Sequence, residues 1–252
     1  MGFDGDWVYC RISCVILLAL DTCDSRGSVA VVRDGEVLGV LAHESSEDYS
    51  SWLLPAVQEI VRSVRLTVPE MDVYAVASGP GSFTGLRVGL TTVKAWSEVF
   101  GKRIVPVSRL EALATRADPS SAMVAAFFDA HRGQVFGALY SREGAALQRV
   151  EDEMVIAPSE FVTWVSERAQ ALAVDWVSMD PERVRVEAAW TAREKAGEKI
   201  QKSSTVLAPI IGKIGYERAQ EGRLVDALTL DAEYVRRSDA EIFWKGAASH
   251  GR

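Results

Sequence analysis

Histidine and cysteine are scarce in this 252-residue chain, at three each. The cysteines, Cys10, Cys14 and Cys23, are odd in number, crowd the N-terminal end and form no C-x-x-C pair. That is the usage of a reducing compartment rather than a disulfide framework. The histidines, His43, His131 and His250, are far apart, and no H-x-x-x-H or H-E-x-x-H occurs. The sequence therefore offers no ready zinc or iron site, and the expected metal content is none. Basic surplus is missing too: 28 Lys and Arg face 35 Asp and Glu, a net charge of −7. Phosphate neutralisation dominates nucleic-acid affinity, so any nucleic-acid role of this chain is expected to be indirect. The deficit is even, with −4 on residues 1–108 and −3 on residues 109–252.

Long hydrophobic runs are also lacking. The longest early one, Val15 to Leu20, is far too short for a membrane span. The stretch before it is acidic where a signal peptide is basic, so the expectation is a cytoplasmic protein without membrane contact. No G-x-S-x-G elbow is present, and Cys23 has no evident base nearby in sequence.

What is present is an ordinary globular composition, 48% hydrophobic and 25% charged. A chain of this size needs no covalent staple to bury a core. Val15–Leu20 reads as a buried strand ending at Asp21, followed by Ser28–Val32, the turn pair Asp34–Gly35 and Glu36–Ala42. Asp-Gly between β-favouring runs signals a hairpin, so the chain opens as a three-stranded meander. Asp48–Val64 has helical periodicity, with Pro55 either kinking it or delaying its start. A strand over Val73–Ser78 leads through Gly79–Gly85 into a helix over Leu86–Phe100, closed by Gly101. A strand over Arg103–Val107 completes an α/β unit.

The second half repeats the pattern, with strands over Ala122–Phe128 and Gln134–Tyr140 around the turn Asp129–Gly133. Ser159 reads as the N-cap of a helix over Glu160–Leu172, followed by a strand over Val174–Met179 and a helix over Ser204–Glu221. Residues 182–202 hold six basic and four acidic side chains and read as a solvated segment. The expected architecture is α/β with two pseudo-duplicated lobes, each a mixed sheet flanked by helices. The divisions are a leader at 1–13, a first lobe at 14–108 and a second, reduced lobe at 109–252. The final segment is a candidate to return to the first lobe, and the tail after Ser238 is expected to fray.

The strongest local feature is Gly79-Pro80-Gly81-Ser82-Phe83-Thr84-Gly85 between strand and helix. Glycine-rich turns at helix N-termini expose amides to anions. This spacing is one residue too long for a dinucleotide fingerprint, and no Lys follows Gly85 as a P-loop requires. A tight turn with Ser82 or Thr84 capping the helix fits it better. Asp21, with Thr22 beside it, either terminates a strand or is a vestige of a phosphate-binding hairpin.

Gly85 and Gly89, with Thr92 and Trp96 beyond, lay small residues along the second helix, next to Leu86, Leu90 and Val93. Trp52, Leu53 and Val57 do the same for the earlier helix. The pair carries more apolar surface than one sheet face needs, which points to internal packing or to an interface, homomeric or with a partner. His131-Arg132 reads as a polar hairpin tip.

Taken in order, these pieces resemble the TsaB (YeaZ-like) family of tRNA threonylcarbamoyladenosine synthesis. The carriers are Leu18-Ala19-Leu20-Asp21-Thr22, Ser28-Val29-Ala30-Val31 and Leu53-Leu54-Pro55, and above all Ala77-Ser78 through Thr84-Gly85-Leu86-Arg87. Val107-Ser108-Arg109-Leu110-Glu111-Ala112-Leu113, Asp129 through Phe136 and a late Tyr234-Val235-Arg236 add to them. The resemblance implies an actin-like (ASKHA) fold and a non-catalytic partner of the paralogous transferase TsaD. It implies a heterodimer face on Asp48–Val64 and Gly85–Phe100, and a TsaE-like ATPase in a larger complex. No cofactor is intrinsic on this reading, and ATP or ADP enters only with TsaD. Whether the isolated chain pairs with itself stays open. The family often has His where Tyr49 stands, so this chain departs there. The competing reading is a stand-alone actin-fold ATPase or phosphotransferase using Asp21 and the Gly79–Gly85 turn. It lacks an Asp-x-Gly-Gly motif in the second half and a double glycine near Ile211-Gly212-Lys213.

Overall fold

The computed structural model describes residues 14–44, 47–144, 146–170 and 172–231. The leader at 1–13, Cys10, the Tyr234-Val235-Arg236 match, the tail after Ser238 and His250 lie outside the described residues.

β1 (Ile16–Asp21), β2 (Ser28–Arg33) and β3 (Glu36–Ala42) form the expected meander. Its hairpin turn places Asp34 and Gly35 at φ 51° and 81°, the left-handed pair that an Asp-Gly turn supplies. α1 (Tyr49–Ser63) follows. Pro55 lies inside this helix, which neither starts after it nor ends at it. Pro55 and Ser51, whose carbonyl loses its helical donor, both face solvent. β4 (Val73–Gly79) pairs in parallel with β1 and with β5 (Arg103–Ser108), giving a five-stranded sheet in the order β3-β2-β1-β4-β5. Between β4 and β5 runs α2 (Phe83–Phe100), with Gly101 at φ 64° closing it. The helix starts three residues before the sequence pattern suggests, because Ser82 caps it through the Gly85 amide.

α3 (Arg109–Ala114) begins at once, capped by Ser108, whose hydroxyl accepts from the Leu110 and Glu111 amides. β6 (Met123–Asp129), β7 (Val135–Glu143), β8 (Ala146–Arg149), β9 (Met154–Ile156), α4 (Pro158–Ala169) and β10 (Val174–Ser178) build the second lobe. Ala157, not Ser159, precedes α4, because Pro158 occupies the first helical position where its missing N–H costs nothing. The charge-dense stretch is not simply solvated. It folds into α5 (Glu182–Arg185), α6 (Trp190–Lys195) and the edge strand β11 (Ile200–Lys202), anchored by buried Val184 and Trp190. The second sheet runs β11-β10-β6-β7-β8, with β9 also on β7.

α7 (Ala208–Gln220) packs back across the first sheet, on β1, β2 and β4. Gly212 and Gly215 allow this close approach: a Cβ on Gly212 would stand 2.5 Å from Val32, and one on Gly215 2.8 Å from Ala75. The chain then adds a bridge from Val225 to Ile104 at the edge of β5.

Alternation along β6 sorts two cores. Val124, Ala126 and Phe128 face the first lobe and join its core, while Met123, Ala125 and Phe127 face α4 with Phe161, Trp176 and Trp190. The first of these cores therefore spans both lobes, and the second belongs to the second lobe alone.

Candidate functional site

The end of β1, the loop to β2 and the start of α2 meet in one tight junction. A Cβ on Gly81 would overlap the Cys23 carbonyl, and one on Gly85 would overlap the Thr22 carbonyl. A Cβ on Gly89 would stand 2.5 Å from the Thr22 hydroxyl. Thr22 Oγ1 donates to the Gly85 carbonyl at 2.7 Å, and the Ser82 amide donates to the Cys23 carbonyl at 2.6 Å. The glycines of the signature turn thus admit the chain's own β1–β2 loop. The space at Gly85 and Gly89 is filled by Thr22, which is the internal-packing alternative of the two that the small residues left open.

Beneath this junction lies a buried ion pair. Asp21 is fully buried, and Arg109, 1% exposed, holds it through Nε at 3.2 Å. Arg109 also donates from Nη1 to the Pro80 carbonyl (3.3 Å), lies 3.6 Å from Asp24 and stacks on Phe128 at 4.7 Å. Burial opposes its charge, but the adjacent carboxylates outweigh burial and raise its pKa. Burial likewise pushes Asp24 up, yet Arg109 and Arg26 hold it below the usual carboxylate range. Burial, then Asp21, push the Cys23 thiol well up, so it is no ready nucleophile. In this geometry the Asp21 carboxylate is sealed from solvent and already paired within the chain. In the sequence Arg109 stands out only as part of the Val107–Leu113 motif. Its partnership with a residue 88 positions away left no local signal.

Tyr49 is the second residue whose role the sequence did not show. Its hydroxyl donates to the Asp24 carbonyl and accepts from the Gly27 amide at 2.5 Å. Its ring packs on His43 (4.7 Å) and Trp52 (5.8 Å).

The helices α1 and α2 lie side by side on one face of the first sheet and touch only lightly. Their inner faces are core: Leu53, Val57, Leu86, Leu90 and Val93 are all buried in this chain, as are Gly85 and Gly89. These seven, expected on a partner interface, present no side-chain surface to a partner. Trp52 and Trp96 are half-buried at the margins, Trp96 against Tyr74 at 5.5 Å. The outward faces carry Leu54 (55% exposed), Phe83 (37%) and Val99 (72%), together with Arg87, Val88 and Thr91. Arg87 lies over the Phe83 ring at 3.8 Å. Between the helices runs a groove of about 510 Å³, lined by Leu54, Phe83, Arg87, Val88 and Thr91 among others. A second groove of about 560 Å³, with Leu54, Gln58, Leu66 and Trp96, continues it toward the helix C-termini. A polar recess of about 410 Å³ lies at the N-termini, walled by Ser25, Asp48, Ser50, Ser82 and Thr84.

The second hairpin, Asp129–Gly133, is exposed at its tip, with His131 and Arg132 at φ 59° and 55°. Asp129 pairs with Arg183 at 2.5 Å, and its amide donates to Asp180, which Arg26 reaches across the lobes at 3.6 Å. Among the described residues no group of three or more His, Cys, Asp or Glu gathers to hold a metal ion, and no helix is long and apolar enough to cross a membrane.

A sequence profile described as "TsaD: tRNA N6-adenosine threonylcarbamoyltransferase" matches residues 31–202. The Escherichia coli tRNA threonylcarbamoyladenosine biosynthesis protein TsaB is 28% identical over 239 residues, covering 91% of this chain and 96% of that protein. Its Bacillus subtilis counterpart is 28% identical over 152 residues, 60% of this chain and 66% of that protein. In fold, a crystal structure of a Pseudomonas aeruginosa protein with similarity to peptidase YeaZ superposes with a TM-score of 0.68, over 88% of this chain and 100% of that one, at 24% identity. Two sheets, helices on both faces of the first and the hairpin at the head of each lobe make this the actin-like (ASKHA) fold. The chain belongs to the TsaD family, and within it is similar to the TsaB proteins over most of its length.

Proposed function

We propose that this chain is a non-catalytic subunit in the synthesis of threonylcarbamoyladenosine on tRNA, and that it docks a TsaD paralogue through the outward faces of α1 and α2. The names of its relatives support the pathway. The observation that carries the role is the contrast between a sealed crevice and an open apolar face. Asp21 is held by Arg109 and the glycine turn is filled by the β1–β2 loop, whereas Leu54 and Phe83 line an open groove and Val99 stands exposed further along α2. Exposed apolar surface of this kind, grooved and flanked by polar groups, marks protein interfaces. A paralogue of the same fold carries an equivalent helix pair, so two such faces can meet about a pseudo-two-fold axis. With −4 and −3 on its halves, this subunit is poorly suited to hold tRNA, and the basic surface falls to its partners.

The test is to mix the purified chain with the TsaD paralogue of the same organism and measure mass and nucleotide binding. A one-to-one complex, with no magnesium-ATP binding by the isolated chain, is the expected result. Micromolar ATP binding with hydrolysis by the isolated chain favours the stand-alone ATPase instead.

A further inference from the structure

We propose that Tyr49 is a positioning residue for the docking surface, holding the Asp24–Gly27 loop as a third wall beside α1 and α2. The inference rests on the docking reading above. Tyr49 opens α1 and lines both the inter-helix groove and the polar recess. Through one hydroxyl it grips the loop at two points, the Asp24 carbonyl and the Gly27 amide, which bracket Ser25 and Arg26. His43, packed at a tilt against the Tyr49 ring, stands with Nδ1 2.9 Å from the Ser25 carbonyl. Arg109 holds Asp24 from the opposite side. Ser25 itself is exposed and forms the recess wall with Ser50, Ser82 and Thr84. The loop is therefore clamped from below and from the side, while its free edge faces the surface where a partner would sit.

The physical effect is preorganisation. A short exposed loop that orders only on binding subtracts its ordering entropy from affinity, and a loop already fixed does not. Burial pushes the Tyr49 phenol up, so it remains a donor across the ordinary pH range.

Calorimetric titration of the full chain with its TsaD paralogue, using Tyr49→Phe, Ser25→Trp and Leu54→Asp, tests this. Tyr49→Phe keeps the ring and removes only the hydroxyl; it should weaken binding by about tenfold, the scale of one or two lost hydrogen bonds. In the free chain it should also speed exchange of the Gly27 amide. Ser25→Trp, a bulky change on an exposed residue, should weaken binding at least as much if the loop is a wall. Either variant binding like the wild type overturns the proposal, and so does unchanged Gly27 exchange. A lower melting temperature in Tyr49→Phe with unchanged affinity marks a merely structural role and also overturns it. Leu54→Asp separates the two layers: if it binds normally, the docking reading itself falls. If it abolishes binding while Tyr49→Phe and Ser25→Trp do not, only the positioning role falls.

Discussion

The two faces of the α1 and α2 pair differ in burial and in composition: one is apolar and packed, the other mixes Leu54, Phe83 and Val99 with Gln58, Glu59, Arg62, Arg87 and Glu98. The inward face is Leu, Val and Ile under the sheet, and the outward face still carries Leu54, Phe83, Val88 and Val99. A helix with apolar side chains on both faces exceeds what one sheet can bury. Which apolar residues belong to which face decides what each substitution means. Changes on the inner face report on folding, and on the docking proposal changes on the outer face report on association.

The largest contrast comes from Leu90→Asp. Leu90 is 6% exposed within the first-lobe core, so an unpaired carboxylate there should cost about 5 kcal/mol or more. Thermal denaturation should show no cooperative transition; a folded Leu90→Asp chain that fails only to bind would put Leu90 on the outer face after all. Next is the sealed crevice under the helix start. Arg109→Met leaves Asp21 buried without its partner and should cost about 3–5 kcal/mol. Adding Asp21→Asn should recover much of that loss in urea melts, because the pair rather than either residue is what the site tolerates.

Outer-face substitution sharpens the comparison from the other side. Leu54→Asp should change unfolding free energy by no more than about 0.5 kcal/mol. Coupled with a large loss of partner affinity, that separates the faces within one helix, since Leu53 next to it is 1% exposed. The smallest effect is alkaline. Burial pushes the Tyr74 phenol, packed under Trp96 of α2, up to about 12, above the ordinary phenol range. A raised folded pKa means its contribution is fully present below about pH 10 and declines as pH rises toward 12. Tyr74→Phe should flatten that part of the stability profile, as followed by circular dichroism.

The meander, the Asp34–Gly35 hairpin, both long helices of the first lobe and the signature turn were legible in the sequence, because each rests on local periodicity or turn chemistry. The cap was legible as Ser82 or Thr84, and the structure places it at Ser82. α3 was not: six residues directly after a strand give no full helical period. The fold of residues 182–202 was hidden because a single buried Trp190 and Val184 anchor a stretch that composition describes as charged. Leu53, Val57, Gly85, Leu86, Gly89, Leu90 and Val93, expected on an interface, are buried in this chain, since counting apolar positions does not say which stripe faces the sheet. Asp21 with Arg109, and Tyr49 with Asp24 and Gly27, could not be read, as they join residues between 22 and 88 positions apart.

Hydroxyl-radical footprinting of the full chain, alone and with its TsaD paralogue, tests the central claim most directly. Leu54, Phe83 and Val99 on the outer helix face should lose reactivity in the complex, while Leu172 (53% exposed) and Val186 (77%) on the second lobe keep theirs. Protection of Leu172 and Val186 with Leu54, Phe83 and Val99 unchanged would contradict the account.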